Sequence, residues 1–397
     1  MLPLILGEKP VRFFEREPAI CPFIFLLSMG LAFTLVSALG YFFSSRNLFE
    51  NFKRFSPAIS VERQFYPTFS EMLNLSRSRK EPGKALVVVA GDSVFYGLGQ
   101  DAQGLWTEDL SRHLGGNATV VNLAFRGGGM LEGGYYVFEA LSRQYDDVIL
   151  VTNTLGARAQ TAGSLNSPYH YIYLDGKMKG YLIRYEQREK YFSNEEAEAE
   201  AESSNKGKLA ELKLASFLDS YLYFRDLWSR VNYAYFSPVY CKSYGPMSFG
   251  PRKLRLSEEH QLVRDAGAKS LGFFTDLLRD RFTVRDPGVW AGLKRTILSV
   301  IPESLRDRVV VVQVMPNPEC LTALSTEEIT GFESTVHASR DLYRSIGIES
   351  AVVNTIPVDG YVDGLHLNDR GGKVLAATVA DLVMLKLKGK GGKSRDK

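Results

Sequence analysis

Residues 85–97 read ALVVVAGDSVFYG. An unbroken apolar run, Ala85–Ala90, leads straight into Gly91-Asp92-Ser93, and a further glycine, Gly97, stands four residues after the serine. A short, continuous apolar run reads as a strand buried on both faces. That is the habit of a parallel sheet covered by helices, not of an antiparallel sheet with one wet face. The serine then falls at the carboxyl end of a buried strand, the edge at which open α/β sheets bind their ligands.

The flanking sequence extends this pattern. Thr107–Leu114 reads as a helix, Ala118–Leu123 as a strand, Gly134–Arg143 as a helix and Asp147–Thr152 as a third strand. The alternation resumes near the end of the chain. Asp307–Val314 is predicted as a strand, Ser325–Ser345 as a helix opened by a Ser-Thr-Glu-Glu capping signal, Ile348–Val353 as a strand and Gly371–Leu387 as a closing helix. The α/β core therefore occupies 85–155 and 305–387, with an insertion at about 160–300. Within the insertion, YHYIYLDGKMKGYLIRYE alternates aromatics around Asp175-Gly176, a hairpin signal. SNEEAEAEAESSNKGK is an acidic, exposed segment, and 209–240 carries Leu, Tyr and Phe at helical spacing, read as packing.

Before the core lies AICPFIFLLSMGLAFTLVSALGYFF, Ala19–Phe43, without a charge. At about 1.5 Å per helical residue it crosses a hydrocarbon core of about 30 Å with some tilt. The segment ahead of it carries Glu8, Glu15 and Glu17, unlike a cleaved signal peptide, so an uncleaved signal anchor is expected. Lys9, Arg12 and Arg16 precede the span, while Arg46, Lys53, Arg54 and Arg63 follow it, so flanking charge does not orient it. The expected organisation is a short cytoplasmic segment at 1–18, the anchor at 19–43, a polar juxtamembrane stalk at 44–84, the α/β domain at 85–387 and a basic, disordered tail at 388–397.

Net charge is +3 over 397 residues, with no basic cluster before the tail, which argues against nucleic acid as a partner. Of three cysteines, Cys21 lies in the span. Cys241 and Cys320 are then the one pair able to form a disulfide in an oxidising compartment, and their spacing is not that of a metal site.

The chemistry rests on a second, distant stretch, VDGLHLNDRGG at 362–372. Asp363 lies three residues before His366, a spacing that lets carboxylate and imidazole meet on one turn. A serine hydroxyl is a weak nucleophile at neutral pH. It needs an adjacent base, and the base needs a group that fixes its tautomer and stabilises the imidazolium. Ser93, His366 and Asp363 can fill those three roles.

These blocks resemble the SGNH (GDSL-type) hydrolase superfamily. Gly91-Asp92-Ser93, followed by Gly97, Gly99 and Trp106, is similar to its first block; NLAFRGGG, with Gly127, to its second; and Asp363-Gly364-Leu365-His366 to its last. The resemblance implies a flavodoxin-like three-layer sandwich with a parallel sheet. It also implies a catalytic Ser93–His366–Asp363 triad, and an oxyanion hole made by the backbone N–H groups of Ser93 and Gly127 and by an asparagine side chain. No metal or cofactor takes part in that chemistry. The third block departs from the family's Gly-x-Asn-Asp: the chain has VTNTLGAR, with Asn153 early and Gly156 nearer the family position. Either the strand ends sooner and Asn153 serves in the oxyanion hole, or that donor is absent.

An anchored domain of this type is similar to bacterial accessory proteins of polysaccharide O-acylation. The resemblance implies a serine esterase or O-acyltransferase working through an acyl-enzyme on an envelope or secreted glycan, beside a multi-span membrane acyltransferase. Such a protein sits in the inner membrane by a single pass with its catalytic domain outside the cytoplasm. A membrane-tethered lipase or thioesterase, and a non-catalytic scaffold of the same fold that binds a membrane partner, are the alternatives.

Overall fold

The computed structural model describes residues 20–44, 69–100, 104–125, 134–153, 180–181, 210, 214, 223, 227 and 287–393. In chain order the elements used below are α1 (Ile20–Ser44), α2 (Phe69–Arg79), β1 (Ala85–Val89), α3 (Ser93–Tyr96), α4 (Trp106–His113), β2 (Ala118–Asn122), α5 (Gly134–Ser142) and β3 (Val148–Thr152). They continue with α6 (Pro287–Val300), α7 (Glu303–Arg306), β4 (Val309–Val314), α8 (Pro318–Leu321), α9 (Thr326–Ser345), β5 (Glu349–Val353) and α10 (Asp369–Lys393). The five strands form one parallel sheet in the order β2-β1-β3-β4-β5.

That order places the reversal of winding between β1 and β3. The chain steps from β1 outward to β2, returns past β1 to β3, and then proceeds the other way. Crevices of doubly wound sheets open at this point, outside the carboxyl ends of the strands. The register makes those ends level: Val89 pairs with Asn122 on one side and with Val151 on the other. Ala90–Ser93, Leu123 and Asn153 therefore emerge from one edge of the sheet.

Helices cover both faces, as the apolar strands require. Leu86, Val88 and Ala90 point into a core shared with α2, α5 and α6, and with Tyr343 of α9. Ala85, Val87 and Val89 point into a second core with Trp106 and Leu110 of α4 and Leu375, Val379 and Val383 of α10. A third cluster joins Cys320 of α8 to Phe332 and Val336 of α9.

The predicted strands and helices of the α/β stretches are present, with ends shifted by a few residues. The capping box predicted at Ser325 forms: the Ser325 N–H donates to Glu328 Oε2 at 2.7 Å, and the Glu328 N–H donates to Ser325 Oγ at 3.2 Å. α10 starts earlier than predicted, because Asn368 Oδ1 accepts from the N–H groups of Arg370 and Gly371. It also runs on to Lys393, through part of the segment expected to be a disordered tail. A helix already nucleated by packing extends at one hydrogen bond per residue, without a new nucleus to form.

Two elements were not foreseen. α2 lies in the segment read as a stalk, yet Phe69, Met72, Leu73 and Leu75 are buried in the first core. Lys80, just after it, pairs with Asp147 Oδ2 at 2.8 Å at the entrance to β3. Scattered polar residues in FSEMLNLSRSR conceal a one-sided apolar stripe. α6 lies at the end of the insertion and buries Leu293, Ile297 and Val300 in the same core. Phe69 is fully buried, so Phe69→Ala should destabilise the domain by about 3–5 kcal/mol, measured by denaturant unfolding. A loss below about 1 kcal/mol would show that α2 is only an appendage.

Cys320 is a fully buried thiol that forms no disulfide among the described residues. Burial, Asp363 and Glu319 push it up to about 11. The hairpin around Asp175-Gly176, the acidic segment, Cys241 and nearly all of 209–240 lie outside the described residues. One N-terminal helix, Pro22–Phe42 within α1, is long and apolar enough to cross a membrane.

Candidate active site

The Gly91-Asp92-Ser93 turn leaves β1 and enters the one-turn helix α3 directly. Asp92 caps it, its Oδ1 accepting the Val94 N–H at 2.9 Å. Gly97, at φ +84°, ends it in the left-handed region that glycine enters without a Cβ penalty. The turn is braced from below. Trp106 Nε1 donates to the Phe95 carbonyl at 2.8 Å, and Asn122 Nδ2 donates to the same oxygen at 3.1 Å. Thus Trp106 and Asn122 secure the backbone that carries the serine.

His366 arrives from the far end of the chain on a tight loop. Tyr361 and Leu367 bridge antiparallel, and the Val362 N–H donates to the His366 carbonyl at 2.9 Å. Inside the loop Asp363 Oδ1 accepts from the N–H groups of Leu365 and His366 at 2.8 and 2.7 Å. The loop is tied to the end of β4 by three bonds. The Asn317 N–H donates to the Gly364 carbonyl at 2.9 Å, Asn317 Nδ2 donates to the Asp363 carbonyl at 3.3 Å, and the Tyr361 hydroxyl donates to the Met315 carbonyl at 2.8 Å. Asn317 was not among the residues singled out from the sequence. Its one local signal is an Asn-Pro pair just after a strand, which announces a helix cap rather than a brace for a loop 46 residues away.

These two structures bring Ser93, His366 and Asp363 together. Ser93 Oγ lies 2.8 Å from His366 Nε2, and His366 Nδ1 lies 2.6 Å from Asp363 Oδ2. The His366 and Asp363 side chains are 14% and 6% exposed, so the pair is shielded while the imidazole edge still reaches the serine. Burial would raise Asp363. The hydrogen bond and charge of His366 and the two backbone N–H groups outweigh it and hold the carboxyl below its ordinary value. The ionised carboxylate only accepts, so Nδ1 carries the ring proton. In the neutral ring, Nε2 is then the acceptor for the Ser93 hydroxyl.

Asn153 is the first residue beyond β3 and sits against the serine turn. Its Oδ1 accepts the Asp92 N–H at 3.2 Å and its Nδ2 donates to Asp92 Oδ1 at 2.7 Å. The contact depends on Gly91, at φ +128°: a Cβ there would collide with Asn153 Oδ1. Gly91→Ala should lower stability by about 2–4 kcal/mol, from backbone strain added to that collision. Unchanged denaturant unfolding would contradict this packing. Gly127 and Gly156 lie outside the described residues.

The fold and the site together define a parallel α/β domain, helix-covered on both faces, with a Ser–His–Asp hydrogen-bonded chain at the switch point of its sheet. The chain matches no family model, no curated protein and no solved structure.

Proposed function

We propose that this protein is a membrane-anchored serine esterase or O-acyltransferase of the SGNH type, with Ser93 as nucleophile, His366 as base and Asp363 as the triad acid. The observation that carries the proposal is the hydrogen-bonded chain Ser93 Oγ–His366–Asp363, at 2.8 and 2.6 Å. Further support comes from its place at the carboxyl edge of the sheet and from the strand order 2-1-3-4-5, which is that of flavodoxin-like sheets. The same order supports the resemblance drawn from the sequence blocks.

The reaction runs in two halves. Ser93 Oγ bonds to the ester carbonyl carbon as its proton passes to His366 Nε2, and the carbonyl oxygen takes the negative charge. The resemblance assigns that charge to the Ser93 backbone N–H, the Asn153 amide and the Gly127 N–H. Collapse expels the alcohol, which takes the proton from His366 and leaves an acyl-enzyme. An acceptor hydroxyl then attacks and gives its proton to His366, which returns it to Ser93 Oγ as the acyl–serine bond breaks. If the acceptor is a sugar hydroxyl the reaction is acyl transfer; if it is water, hydrolysis.

We place the domain outside the cytoplasm, held at the bacterial inner membrane by α1. In hydrolysis its substrate would be an acylated glycan; in transfer a glycan hydroxyl would be the acceptor and a multi-span acyltransferase would supply the acyl group. A fluorophosphonate probe tests the chemistry. Folded full-length protein in detergent should be labelled at Ser93, and prior loss of His366 should abolish labelling. No labelling of folded protein would overturn the enzymatic proposal in favour of a scaffold.

A further inference from the structure

We infer that Asp92 is a positioning residue of the oxyanion site, acting through Asn153; this rests on the serine-enzyme function proposed above. Asp92 is 3% exposed and Asn153 4%, and each satisfies the other at two points. Asp92 offers a backbone N–H to Asn153 Oδ1, and a carboxylate oxygen to Asn153 Nδ2. The Asp92 N–H can only donate, and Asp92 Oδ1, which also takes the Val94 N–H, acts as an acceptor, so the amide of Asn153 has one orientation that satisfies both.

The consequence lies in the amide nitrogen. Nδ2 carries two hydrogens, and the contact with Asp92 uses one. With the amide plane held at both ends, the direction of the second hydrogen is set before substrate arrives. Preorganisation of this kind is what gives an oxyanion donor its effect, because no reorganisation remains at the moment of reaction. Asp92 Oδ1 also accepts the Val94 N–H, so one oxygen fixes both the helix turn that carries Ser93 and the amide of Asn153. Nucleophile and oxyanion donor are thereby locked in one frame. Burial raises Asp92 above its ordinary value, although the bonds from Asn153 and Val94 pull it back.

The test is a double-mutant cycle on p-nitrophenyl acetate hydrolysis by the full chain in detergent. Asp92→Ser keeps a helix-capping oxygen but cannot reach Asn153. Asn153→Ala should lower kcat by about 10²-fold with KM little changed, as loss of one oxyanion donor does. Asp92→Ser should lower kcat about 10-fold or more, and the double variant should be no slower than Asn153→Ala alone. Asp92→Asn, whose carbonyl can accept from both Val94 and Asn153, should stay within about threefold of the unaltered protein. Multiplicative losses in the double variant would show that Asp92 serves the turn alone and would overturn the inference. If Asp92→Ser does not fold, Asp92→Thr closes the same cycle. Fluorophosphonate labelling separates the two proposals. Labelled, active protein with multiplicative losses removes only the positioning role, whereas protein that neither labels nor turns over removes both.

Discussion

Ser93→Ala and His366→Ala are each expected to lower ester turnover by about 10⁴–10⁶-fold, and the double variant should be no worse than either alone. The reason is geometric. Ser93 Oγ and His366 Nε2 share a single hydrogen bond of 2.8 Å, so removing either group removes the same proton transfer. The oxyanion donors stay in place, and a residual rate above that of water should survive all three variants. Steady-state kinetics on p-nitrophenyl acetate reads this directly. Losses that multiply in the double variant would mean that the two residues do not act on one step.

The second large effect concerns Asp363. Asp363→Asn should lower kcat by about 10³–10⁴-fold, because an amide presented to Nδ1 favours the tautomer with its proton on Nε2, the wrong nitrogen for a base. The same residue ties activity to folding. Its carboxyl is held below the ordinary value in the folded protein by His366 and the backbone N–H groups of its own loop. The unfolded chain therefore binds the Asp363 proton at a higher pH than the folded one. The stability this supplies is present above the unfolded value, about 3.9, and is lost as pH falls through the lower folded value. Asp92 runs the other way, since burial raises it. Denaturant unfolding between pH 5 and pH 2 should thus decline more steeply in the unaltered protein than in Asp363→Asn. Equal slopes would show that the Asp363–His366 bond contributes nothing to stability.

Much of the fold was legible because its signals are local. Ala85–Ala90, Asp147–Thr152 and Asp307–Val314 are apolar without interruption, which suits strands buried on both sides. The Ser325–Glu328 capping box announced α9 within four residues. By contrast, α2 and α6 were hidden. Each mixes polar and apolar residues, and each owes its burial to the apolar face of a sheet it meets only in three dimensions. The burial of Cys320 was missed for a related reason: cysteine spacing says nothing about which apolar cluster encloses the thiol.

The candidate site divides along the same line. The chain by itself determined the residue types and the edge from which they emerge: a serine after a buried strand, an Asp-x-x-His loop near the end, and an asparagine after the third strand. Their chemistry is written in local spacing and strand periodicity. Tertiary structure alone decided that Ser93 meets His366 across 273 positions, that Asn317 braces the acid loop, and that Asn153 locks onto Asp92. The physical reason is the parallel sheet. Its register levels the strand ends, so residues remote in sequence become neighbours at one edge, and the glycine at position 91 lets two buried polar groups close on each other.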